Sequence, residues 1–139
     1  MQSPLYKEAI LCLMFAMAEA DATINNDELI AVITMKDVFR GYSEADIMEL
    51  YREYKNRFAD AGFAGICNVM IRQIPSELHM GTLSILADMA TIDFDVSMQE
   101  GSFISIAAAT MGISDIAVKT LLLTSLSRKL LLQTGEEGL

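Results

Sequence analysis

The feature that most constrains this fold is a stretch the chain writes twice. Residues 17–28 carry Met17, Ala18, Asp21, Ile24 and Glu28, and at one constant offset residues 89–100 carry Met89, Ala90, Asp93, Val96 and Glu100. In each copy an apolar helical run leads into the acidic stretch and a second apolar run follows. The chain is therefore expected to repeat one helix-loop-helix unit, over about 5–43 and 77–114, within a single domain of 139 residues.

Helix is the regular element the pattern signals. Apolar residues recur at three and four, strict alternation is missing, and Ala, Met and Leu are abundant. The spacing predicts a first helix from about Leu5 to Ala20, burying Leu5, Ala9, Cys12, Leu13, Ala16 and Met17. A second is expected from an Asn25 cap to about Arg40, closed by Gly41. Ser43 opens a third, amphipathic helix with Ile47, Leu50, Tyr51, Tyr54 and Phe58 on one side. A fourth is expected around Ile66 to Ile74, after Gly62 and Gly65 and before Pro75. The fifth, Ser76 to Thr91, and the sixth, Met98 to Met111, repeat the first two, with Gly112 in the part of Gly41. The seventh, capped by Ser114, is apolar nearly all round and is expected in the centre of the core or in a dimer seam. Residues 133–139 read as a frayed polar tail. The expected architecture is all-α, one bundle of about seven helices built from two pseudo-symmetric halves.

Composition narrows the function classes. Ten basic against nineteen acidic residues give a formal charge of −9, which argues against nucleic acid as a partner. No Lys or Arg stands between Gln73 and Val118, while Glu77, Asp88, Asp93, Asp95, Glu100 and Asp115 do, so that half should present a negative field. The apolar fraction of 53% exceeds what one core needs and suggests a surface for self-association or for a protein partner. Cys12 and Cys67 lack metal or redox spacing and read as buried free thiols in a reducing cytoplasm. The start of the chain mimics a signal peptide, but its copy lies deep inside the sequence, so it reads as a structural helix. Lys119, Arg128 and Lys129 interrupt the apolar C-terminal run, and no membrane span is expected.

The repeated carboxylates have two explanations. Ser97 with Glu100 forms a capping box and Asn25 with Glu28 a close variant, with Ile24 and Val96 as hydrophobic plugs before the caps. Capping accounts for the Glu residues and leaves the Asp residues over, because a carboxylate at a helix C-terminus opposes the macrodipole. Asp21 and Asp93 either accept hydrogen bonds from turn amides or, with Glu28, Glu100 and Asp95, supply oxygens to a divalent cation such as Ca²⁺, Mg²⁺ or Mn²⁺. The stretch from Asp93 to Glu100 is too short for an EF-hand loop and lacks its glycine.

The order helix, Met-Ala-x-Ala-Asp-x-x-Ile-x-x-x-Glu, helix, then Gly and a second such unit resembles the TerB-like family, named for tellurite-resistance proteins. The resemblance rests on Ala18, Asp21, Ile24 and Glu28 with Ala90, Asp93, Val96 and Glu100, and extends over about Leu5 to Leu132. It implies an all-α pseudo-symmetric fold, acidic residues gathered at the inter-helix turns, and a role in divalent-cation or stress-response assemblies. Where the family pattern has Gly after the Asp, this chain has Ala22 and Phe94.

An enzyme is not expected. His79 is the single histidine, and no nucleophile elbow, phosphate-cradling loop or dinucleotide fingerprint is present. The ten Met residues read as core filling, or alternatively as a plastic groove for a partner helix. The expected function is a non-enzymatic, cytoplasmic binding or assembly module whose acidic turns take a divalent cation weakly. The alternative is an interaction domain in which the repeated Asp and Glu only cap helices.

Overall fold

The computed structural model describes residues 5–20, 40–91 and 95–136. The expected second helix falls on residues outside these. Among the described residues the chain forms six α-helices and one 3-10 turn, with no strand. They are α1 (Leu5–Glu19), α2 (Glu44–Arg57), α3 (Phe63–Ile71), α4 (His79–Ala90), α5 (Met98–Met111) and α6 (Asp115–Glu136).

The centre of the core is α1. No charge interrupts it from Ala9 to Ala18, and Leu13, Met14 and Phe15, successive residues that point in three directions, are all fully buried. Its expected one-sided stripe is thus a helix enclosed on nearly every side, and Cys12, expected inside, is only half-buried. Helices α2, α3 and α4 pack on α1, and α5 closes the far side against α3 and α4. Aromatic rings seal the α1 and α2 contact: Phe15 lies 4.9 Å from Tyr51 and 5.6 Å from Tyr54, centroid to centroid. Phe63 of α3 meets Phe103 of α5 edge to face at 5.1 Å.

Local chemistry sets the boundaries. Ser43 and Asp46 form a reciprocal capping box at 3.0 Å in each direction, which starts α2 where the sequence indicated. The helix expected over 66–74 instead runs three residues earlier. Gly62 is its N-cap, Gly65 is an interior residue, and tight turns from Met70 to Gln73 and Ile71 to Ile74 end it ahead of Pro75. Ser76–Leu78 make a 3-10 turn before α4. Gly112, at φ +76°, ends α5 with Ile113 bonded to Ala108 and Gly112 to Ala109, the two bonds of a Schellman motif.

For the last helix the structure excludes the first of the two expected places, the centre of the core. The helix packs mainly on α4 and α5 among the described helices, with Val118 and Ser125 its buried residues among those whose side chains are described. Ile116, Leu123, Leu130, Leu131 and Leu132 are exposed. It is peripheral rather than central, because Arg128 and Lys129 take part of its inward side and α1 already occupies the centre. Its helical geometry continues to Glu136, past the start of the expected frayed tail.

Candidate functional site

The repeated acidic turns are flanked by described residues on both copies, although Asp21, Glu28 and Asp93 themselves lie outside the described set. At the end of α1, Glu19 accepts a hydrogen bond from the Tyr51 hydroxyl and lies 3.7 Å from the Lys55 ammonium. Burial and the Glu19 carboxylate both hold the Tyr51 phenol above its ordinary pKa. The end of α1 is thereby tied to α2.

At the end of α4 the partners come from α6. Asp88 accepts hydrogen bonds at 2.6 Å from both the Ser125 hydroxyl and the Arg128 guanidinium. The Lys129 ammonium donates to the Asp88 carbonyl and to the Thr91 hydroxyl. A cation at a helix C-terminus meets the negative end of the macrodipole and its open carbonyls, so Lys129 is electrostatically well placed. Thr91 in turn donates to the Ala87 carbonyl at 2.9 Å. At Asp88 the acidic half is therefore partly neutralised by cations from the last helix.

At the start of α5, Ser97 and Glu100 build the expected capping box. The Ser97 amide donates to Glu100 Oε1 at 2.9 Å and the Glu100 amide to Ser97 Oγ at 3.1 Å. Glu100 is buried, at 5% exposure, while Asp95 is exposed. Val96 packs on the core as the plug before the cap, but the helix position it covers is Gly101, whose added Cβ would sit 3.9 Å from Val96 Cγ1. Carboxylate oxygens are the right donor type for a hard cation. No three metal-ligating side chains converge among the described residues, however. Of the five expected ligands the structure describes Asp95 and Glu100, and Glu100 is engaged in capping.

Other candidate chemistry is quiet. The His79 Nε2 lies 2.9 Å from the Ile74 carbonyl oxygen. Burial raises the Cys12 thiol to about 11 despite Arg57 nearby, and raises Cys67 to about 12. Both are free thiols. Glu8, Cys12, Glu53 and Arg57 line a small cleft of about 130 Å³, and Glu19, Tyr54, Phe58 and Phe63 line an open groove of about 380 Å³ beside Ala20. Met14, Met17, Met70 and Met89 fill the core, while Met98 and Met80 are exposed.

The polar cluster of Asp88, Thr91, Ser125, Arg128 and Lys129 was missed in the sequence. Its signal was present: Ser125, Arg128 and Lys129, spaced at three and four, form one polar stripe inside a leucine run.

The family model described as tellurite resistance protein TerB matches residues 7–122. No match is found among curated proteins or among solved structures.

Proposed function

The chain belongs to the tellurite resistance protein TerB family, and on that premise we propose that it is a non-enzymatic binding and assembly module. Its working surface is apolar. The observation that carries this reading is the exposure of Ile116, Leu123, Leu130, Leu131 and Leu132 along the outer side of α6, whose inner side packs on the core through Val118, Leu121 and Leu122. The partner is a protein, either a second copy or another chain, and nucleic acid is disfavoured by the charge of −9. Protonated thiols and a histidine against a main-chain carbonyl support binding over catalysis. No described helix is long and apolar enough to cross a membrane, and a cytoplasmic setting fits the two free thiols.

In the regulated form of this function, Asp21, Glu28, Asp93, Asp95 and Glu100 take Ca²⁺, Mg²⁺ or Mn²⁺ weakly and bias assembly. Calorimetric titration into the wild type and Asp21→Asn/Asp93→Asn, with light scattering for mass, tests both parts. Heat that disappears in the double variant supports the cation role, and no heat at millimolar metal removes it. A monomer under every condition, with no protein partner, removes the assembly role. The second reading makes the repeated Asp and Glu purely structural, and the Ser97 and Glu100 capping box favours it for Glu100.

A further inference from the structure

Resting on the assembly reading above, we propose that the outer face of α6 is a self-docking seam, by which two copies of this chain pair antiparallel about Leu123. Ile116, Leu123 and Leu130 recur every seven residues, which on an α-helix sets them in one nearly straight outward row. They are 78%, 64% and 53% exposed, and Leu131 beside them is 72% exposed. Thr120 and Ser127, the small residues between, leave the recesses that a partner's leucines fill. The family match ends at residue 122, so Leu123 and Leu130 lie in a stretch of helix beyond it.

Two arguments name a second copy as the occupant. The four apolar side chains expose on the order of 500 Å², and with the flanking Thr120, Ser127 and the Lys119 stem each copy approaches the roughly 800 Å² per partner of a standard interface. The second argument is charge. Two chains of −9 repel over most of their surface, but no acidic residue occurs from Ile116 to Gln133. Arg128 and Lys129 are drawn to Asp88 and the end of α4, so the seam itself carries mainly Lys119. Antiparallel pairing sets Leu123 against its own copy and Ile116 against Leu130 of the second copy. It also holds the two Lys119 ammonium groups roughly 12 Å apart along the axis, whereas parallel pairing makes them adjacent. A net-acidic chain is repelled by anionic lipid, which favours a second copy over a membrane.

Sedimentation equilibrium tests the seam with wild type and Leu123→Glu, alongside oxidative cross-linking of Leu123→Cys and Lys119→Cys. The wild type is expected to approach twice 15.3 kDa. Leu123→Glu is expected to keep the helical circular dichroism of the wild type, because the side chain faces outward, and to dimerise at least ~100-fold more weakly. Leu123→Cys cross-links to dimer and Lys119→Cys does not. A Leu123→Glu chain that still dimerises overturns the seam and leaves the assembly reading standing. Equal cross-linking at both positions overturns the antiparallel pairing. A wild type that is monomeric at every concentration overturns the self-docking seam, while a protein partner found for it keeps the assembly reading. A monomer that co-sediments with phosphatidylserine vesicles through Leu123 replaces the second copy with a lipid surface.

Discussion

Ser125 donates a 2.6 Å hydrogen bond to Asp88, and the same carboxylate oxygen receives Arg128 at 2.6 Å. One side chain on α4 thus pins α6 beside the core contacts that Val118, Leu121 and Leu122 make. Ser125 is 2% exposed, so Ser125→Ala removes a buried, charge-assisted bond and is expected to cost about 1.5–3 kcal/mol. Arg128→Ala removes an exposed partner and should cost under about 1 kcal/mol, less at high salt. Urea denaturation at low and high salt checks both, since only the arginine effect should fade.

The capping box at α5 predicts a graded series. Ser97→Ala is expected to lose about 1 kcal/mol. Glu100→Gln, which keeps an acceptor for the Ser97 amide, should lose less than Glu100→Ala. Equal loss in both Glu100 variants, read by thermal melting, would mean that charge and not capping is what Glu100 supplies.

Gly101 and Gly112 should respond oppositely to alanine. Gly101 is a helical residue whose new Cβ meets Val96 at an ordinary contact distance, so Gly101→Ala is expected to stabilise by about 0.4–1 kcal/mol. Gly112 holds φ +76°, and Gly112→Ala is expected to destabilise by about 1–2 kcal/mol. Chemical denaturation of the two variants reads the signs.

Stability should fall in alkali. The Cys12 and Cys67 thiols are raised by burial to about 11 and about 12 from 9.0, and the Tyr51 and Tyr54 phenols are raised above 10.0. The folded state holds these protons more tightly than the unfolded state does. Their stabilisation is complete below the unfolded values and is lost as pH rises from about 9 through the folded ones. Denaturation across that window should show a decline that Tyr51→Phe makes shallower. At neutral pH a thiol reagent should label Cys67 only on unfolding.

The parts of the fold legible in the sequence were those set by local chemistry. Ser43, Ser97, Ser114 and Gly112 announced helix ends that neighbouring residues alone determine, and α5 runs Met98–Met111 as its pattern indicated. The order of burial was not legible. The pattern marks α1 with a one-sided stripe and α6 as apolar nearly all round, and only the competition for one centre decides that α1 is enclosed and α6 lies outside. The latch at Asp88 was legible only by half: the stripe of Ser125, Arg128 and Lys129 shows in the spacing, but nothing in it points to a carboxylate on a distant helix. Of the candidate site, the capping by Glu100 was legible because it spans three residues.

The claim that the chain works by assembling is tested most directly by the mass of the unmodified protein in solution. Light scattering from micromolar to hundreds of micromolar protein should show a rise from 15.3 kDa toward twice that mass. A mass that stays at 15.3 kDa throughout, with added Ca²⁺, Mg²⁺ or Mn²⁺ as without, would contradict self-assembly through α6.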